Sequence, residues 1–144
     1  MPMSIRSLIT FALLTGIATG CALLGDNGTS LGILNDDYYE PLVAPDTVQV
    51  NTEFDITITT FGPNSCYSAA REEIERAPMR VEIAVYDQYE TGDVACQDVI
   101  FPLSRTISMA FANAGEATIE LNGRRPGPVD DPEPLTLTHT VIVE

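Results

Sequence analysis

Met79-Arg80-Val81-Glu82-Ile83-Ala84-Val85-Tyr86 decides the fold of this chain. Its apolar side chains stand at every second position, alternating with Arg, Glu, Ala and Tyr. That is the period of a strand with one face on a core and the other in water; a helix would need spacings of three and four. The same period recurs on both sides of the stretch. Phe54, Ile56 and Ile58 oppose Asp55, Thr57 and Thr59, while Ile107, Met109 and Phe111 are followed by Ala117, Ile119 and Leu121. Near the C-terminus Leu135, Leu137, Val141 and Val143 share a face with His139, opposite Thr136, Thr138 and Thr140. Thr47–Val50 adds a weaker opening strand. Gly and Pro punctuate the runs, so half-buried antiparallel strands are expected. Residues 69–76, Ala-Ala-Arg-Glu-Glu-Ile-Glu-Arg, hold good helix formers ended by Pro78 and read either as a polar edge strand or as one helical turn. About seven short strands predict an all-β fold, a two-sheet antiparallel β-sandwich, over residues 46–144.

The N-terminus carries a different signal. Arg6 precedes the apolar run Leu8-Ile-Thr-Phe-Ala-Leu-Leu-Thr-Gly-Ile-Ala-Thr-Gly20, which ends in small residues at Cys21. A basic start, an apolar centre and a small-residue cleavage site make a secretory signal peptide over residues 1–20. The run is shorter than the roughly 20 residues that cross a bilayer. Ala18-Thr19-Gly20-Cys21 resembles the lipobox of bacterial lipoproteins, with Ala18 where that family usually has Leu. The resemblance implies that Cys21 is lipidated, palmitate being one acyl group so used, and becomes the mature N-terminus. It also implies an extracytoplasmic domain lipid-anchored at the cell envelope, on the outer membrane if the host has two, since Ala22 and not Asp follows the cysteine. Residues 21–45 then read as the lipidated cysteine and a tether, interrupted by Leu31-Gly-Ile33-Leu34 and Tyr38-Tyr39. Fully extended, such a tether would reach roughly 80 Å at about 3.3 Å per residue. Ordinary cleavage after Gly20 is one alternative, and would leave a free thiol in an oxidising compartment; an uncleaved anchor is the other, against which the length of the run argues.

The chain has three cysteines, and an odd count in an exported protein calls for an account of the leftover thiol. With Cys21 carrying lipid, Cys66 and Cys96 remain as one pair, which an oxidising compartment favours joining into a disulfide. Two independent buried thiols are the alternative. No metal site is expected, because His139 is the only histidine and no further soft ligand is at hand.

The strand region resembles the small immunoglobulin-like domains of bacterial surface and periplasmic proteins. The resemblance rests on Asp46–Phe61, on the turn and strand Phe111-Ala-Asn-Ala-Gly115-Glu-Ala-Thr-Ile-Glu-Leu121, and on Leu135–Val143. It departs from antibody-type domains in having no tryptophan. Cys66 follows the Gly62-Pro-Asn-Ser turn and Cys96 sits in a loop-like stretch, so the bridge is expected to pin loops or a strand end and not to cross the core.

Charge excludes some functions. All seven basic residues are arginine, and only Arg6 lies before Cys21, whereas all 21 acidic residues follow it, leaving the mature part at −15. Such a charge repels phosphate backbones, so no nucleic-acid partner is expected. No cofactor is implied. His139 is the only imidazole and lies in a core-facing register, no serine sits in a nucleophile elbow, and the chain has no lysine; no catalytic residue is assigned and the protein is read as not an enzyme. The acid pairs Glu72-Glu73 and Asp130-Asp131 read as solvated charge.

Binding has more to support it. Asn122–Pro134 joins the last two strands and is far longer than a hairpin loop of 2–5 residues. Four prolines stiffen it, with Arg124 and Arg125 at one end and Asp130, Asp131 and Glu133 at the other, which makes these five residues the candidate binding loop. The reading is a non-catalytic, membrane-anchored lipoprotein whose immunoglobulin-like domain contacts an envelope protein or a glycan. A passive structural lipoprotein without a dedicated ligand is the alternative.

Overall fold

The alternating stretches fold as strands, and their apolar rows meet face to face. The computed structural model describes residues 27–35, 37 and 39–144, so the expected signal peptide and Cys21 lie outside the described residues. Among these the chain forms nine strands and no helix: β1 (Asn27–Leu31), β2 (Leu42–Val43), β3 (Thr47–Val48), β4 (Phe54–Gly62), β5 (Tyr67–Ala77), β6 (Arg80–Glu90), β7 (Phe101–Met109), β8 (Gly115–Arg124) and β9 (Pro134–Val143).

Two sheets make a β-sandwich. In the larger one β6 carries β5 along one edge; its other edge is shared by β8, opposite Arg80–Ala84, and β1, opposite Tyr86–Glu90. β9 and β3 continue the sheet beyond β8. The smaller sheet is β2–β4–β7. Between them lie Ile56, Ile58, Val81, Ile83, Val85, Ile107, Met109, Ala117, Ile119, Leu121, Val141 and Val143, all buried. These are the inward rows that the alternation predicts. Leu135, Leu137 and His139 occupy the same register of β9 but are only half-buried.

Three differences from the sequence reading have physical causes. Residues 69–76 are strand: they belong to β5, an edge strand exposed on most of its length and charged at Arg71, Glu72, Glu73, Glu75 and Arg76. Charge at five of the exposed positions of this edge discourages pairing with other chains, which is why the segment reads poorly as either strand or helix. The sheets are not purely antiparallel, because β6 runs parallel to β8 and β3 parallel to β9. β7 between β6 and β8 lies in the other sheet, so the connection is a crossover that returns the chain in its original direction.

Third, the sandwich starts at Asn27, well inside the stretch read as tether. β1 pairs with β6 from Asn27 opposite Glu90 to Leu31 opposite Tyr86. Ile33 bridges Phe61 in one sheet and Arg124 in the other, and Leu34 and Leu42 are buried in the interior. Leu31, Ile33 and Leu34, which interrupt the tether, dock on their own domain, and Asn27, already in the sheet, is only six positions after Cys21 in the sequence.

Candidate functional site

Strand direction collects the long loops at one end. β4, β6 and β8 finish there while β1, β5, β7 and β9 begin there, which brings loops 63–66, 91–100 and 125–133 together. The opposite, turn end holds the short connections 49–53, 78–79 and 110–114.

Covalent and hydrogen bonds fix the loop end. Cys66, just before β5, is disulfide-bonded to Cys96 in the 91–100 loop, with Cα atoms 5.5 Å apart. The bridge pins a strand end to a loop and does not cross the core. Beside it the Ser65 amide donates to the Gln97 carbonyl (3.0 Å), and the Gln97 amide donates to Ser65 Oγ (2.8 Å). Tyr67 stacks on Tyr89 at 5.4 Å between centroids, and burial pushes the Tyr67 hydroxyl pKa up, partly opposed by the Arg124 charge.

Loop 125–133 is closed at its base. The Arg125 amide donates to the Glu133 carbonyl (2.8 Å), and the Arg125 guanidinium pairs with the Glu133 carboxylate (3.0 Å). Arg124 takes no part in an exposed surface: it is 1% exposed, and its guanidinium donates to the carbonyls of Leu31 (2.9 Å) and Gly127 (3.0 Å). It ties the first strand to the last loop. The segment Gly32–Leu34 can pack this closely only because residue 123 is glycine; a Cβ there would stand 2.7 Å from the Gly32 carbonyl oxygen.

Beneath these loops the interior is charged. Asp87 (1% exposed) follows Val81, Ile83 and Val85 on the inward row of β6, and Arg105 stands on the inward row of β7 with Ile107 and Met109. Arg105 pairs with Asp87 and also donates to the Tyr86 carbonyl (3.2 Å) and Thr60 Oγ1 (3.3 Å). Glu72 on β5 stands 3.6 Å from the other guanidinium nitrogen. Burial raises the Asp87 pKa above the ordinary carboxylate value, against the neighbouring Thr60 hydroxyl and the charge of Arg105, which lower it. Asp87 Oδ2 and Arg105 Nε have no hydrogen-bond partner among the described residues. The pair crosses between the two sheets, so its chemistry is that of a clamp enclosed in the sandwich.

The outside of the loop end is apolar in places. Ile100 is 67% exposed, and Val94 and Val99 are nearly half exposed on the same loop. A groove of about 70 Å³ runs between Ile33, Asn35, Phe61, Pro63, Ile100 and Pro126. Tyr39 borders it, with its ring centroid 5.3 Å from that of Phe61.

The five residues of the candidate binding loop therefore separate. Arg124 is buried support, Arg125 and Glu133 pair with each other, and Asp130 and Asp131 are exposed at the tip. Glu72 and Glu73 point to opposite faces of β5: Glu72 towards Arg105, Glu73 to Arg71 and the Tyr86 hydroxyl. His139 stands opposite Ile119, with Asp46 Oδ1 at 3.7 Å as its nearest acidic oxygen. Among the described residues no three His, Cys, Asp or Glu side chains gather as a metal-binding group. Sequence reasoning missed Asp87 and Arg105, although a signal was present. Extending the inward row of β6 by one step, or that of β7 backwards by one, lands on a charge.

No curated protein and no solved structure matches the chain. A protein-family model does: the ORF11 beta-sandwich domain matches residues 55–130, more than half of the 144 residues and the span from β4 to the tip of the last long loop. The two facing sheets agree with that description, and the chain belongs to the ORF11 beta-sandwich domain family.

Proposed function

We propose that this protein is a lipid-anchored, extracytoplasmic lipoprotein whose sandwich, of the immunoglobulin-like kind, is a non-catalytic module that contacts a protein or glycan at the cell envelope. The observation that carries the reading is the Cys66–Cys96 disulfide. Structural disulfides belong to oxidising compartments, and this one uses two of the three cysteines, leaving Cys21 of the lipobox-like stretch for lipid. The two sheets and the β8–β9 hairpin support the immunoglobulin-like reading, while the parallel β6–β8 pairing departs from it.

Surface shape supports contact with a macromolecule. The grooves along β5 and β6 have volumes near 140 and 150 Å³ and are lined by Glu73, Glu75, Arg76, Arg80, Glu82 and Asn122. Small-molecule pockets commonly run from about 300 Å³ upwards and are mostly apolar. A polar sheet face of this kind suits a protein or carbohydrate surface.

Intact-mass analysis of the exported protein tests the anchor. Diacylated or triacylated chain starting at Cys21 is the expected species; an unmodified Cys21, or cleavage elsewhere, overturns the reading. Pull-down from membranes tests the module. The variant for this purpose deletes residues 126–132 and keeps Arg124, Arg125 and Glu133, because these close the fold. The closed loop base favours the passive lipoprotein as the second reading, and capture of the same proteins by intact protein, loop deletion and an Arg80→Glu/Arg76→Glu variant would select it.

A further inference from the structure

We infer that the loop end of the sandwich rests on a lipid surface with zwitterionic headgroups, Val94, Val99 and Ile100 reaching into the headgroup layer. The inference rests on the lipidated Cys21 proposed above and adds the orientation of the domain.

Chain length sets the geometry. Six residue steps separate Cys21 from Asn27, which spans at most about 20 Å when fully extended. Asn27 opens β1 opposite Glu90, at the loop end. The turn end lies a strand length further on: the ten residues of β8 correspond to about 33 Å. A chain that leaves from the loop end on so short a leash holds that end near the bilayer. With a 24-residue tether the domain would have had no preferred side; the docking of residues 27–34 removes that freedom.

The surface found there suits the place. Val94, Val99 and Ile100 are exposed aliphatic side chains on one loop, and the disulfide to Cys66 holds that loop in shape. Aliphatic groups entering the headgroup layer add buried apolar area to an acyl anchor. The neighbouring groove of Ile33, Phe61, Pro63 and Pro126 extends the same surface. Charge decides the kind of lipid. Glu90, Asp93, Asp98, Asp130, Asp131 and Glu133 ring this end, against Arg125, so anionic headgroups are repelled and zwitterionic ones are not.

Photo-crosslinking of the full-length, exported protein in phosphatidylcholine vesicles tests the orientation. A photoreactive residue replaces Val99 at the loop end or Asn113 at the turn end, and the Cys21 lipid is verified by mass in each sample. Roughly fivefold or more lipid adduct at 99 than at 113 is expected, falling when phosphatidylglycerol is mixed in or when Ile100→Asp is added. Ile100 is largely exposed, so that change leaves the core intact. A lipidated protein with equal adducts at both positions, or with position 99 crosslinked to protein in native membranes, overturns the orientation and leaves the anchor standing. An unlipidated Cys21 overturns both.

Discussion

The two halves of the sandwich interior are held by different forces. Towards the turn end, Val81, Ile119, Ile107, Met109, Val141 and Val143 make an aliphatic layer without a charge. Towards the loop end the same strands place Asp87 and Arg105 between the sheets, with Thr60 beside them and Arg124 close by, under loops tied by a disulfide. The aliphatic half depends on area removed from water, which tolerates small changes of shape. The charged half depends on geometry, because each enclosed charge is supportable only while its partner is present. The difference teaches that the loop end is rigid by pairing and crosslinking, although its loops are long.

Removing one partner of the enclosed pair should break this comparison most severely. Arg105→Ala leaves the Asp87 carboxylate enclosed and alone, and a loss of about 3–5 kcal/mol is expected in urea denaturation. Replacing both, as Asp87→Leu with Arg105→Met, should return stability to within about 1 kcal/mol of the native chain or exceed it. A double variant as unstable as the single one would show that the charges do more than compensate one another. The pH dependence has a definite sign. The folded-state pKa of Asp87 is raised by burial, so its contribution is fully present below the unfolded value of about 3.9 and is lost as pH rises through the folded value. The stability difference between native protein and Asp87→Asn should therefore shrink as pH rises across that window and stay level above it. Glu73 and Glu120, whose pKa values are lowered by Arg71 and Arg80, act in the opposite direction but are common to both proteins and cancel.

Next in size is the crosslink. Cys66 and Cys96 are separated by 30 residues, and closing such a loop restricts the unfolded chain by about 3–4 kcal/mol in the entropy model. Cys66→Ala with Cys96→Ala should lower stability by that amount. Amide exchange should quicken over residues 63–66 and 91–100 and stay unchanged at 110–114. Uniform quickening would mean that the bridge serves the whole sandwich and not its loop end.

The two halves also differ in how well they could be read from sequence. Alternation reveals the aliphatic half directly, because every second residue from Val81 to Val85 and from Ala117 to Leu121 is apolar and inward. The charged half hides behind the same rule, since Asp87 and Arg105 look like the solvent face to any reading that equates charge with exposure. Their partners lie on other strands, which one-dimensional spacing does not encode. β1 was equally hard to see: Asn-Gly-Thr-Ser-Leu contains a single aliphatic residue and enters the sheet through its backbone, on the edge that β8 leaves open. The cysteine pair was legible by counting, once Cys21 was set aside. The candidate loop was legible as a long insertion, but its internal bonds, with Arg124 turned inward, depend on where Leu31 and Gly127 come to lie.

The smallest effects sharpen the comparison. In the aliphatic half, Ile119→Val removes one methylene from a fully buried site and should cost about 0.5–1.5 kcal/mol, with no dependence on pH or salt. At the loop end, Arg125→Ala breaks an ion pair whose two side chains are both largely exposed, so a loss of about 1 kcal/mol or less is expected. Salt separates the two: about 0.5 M salt should abolish the Arg125 effect and leave the Ile119 effect untouched. The backbone bond from Arg125 to Glu133 survives the substitution, so loop 125–133 should be cleaved by protease no faster than in the native chain. If Arg125→Ala instead opened the loop to protease, its shape would depend on this exposed pair, and the anchoring of the loop end by Arg124 and its carbonyl contacts would be insufficient.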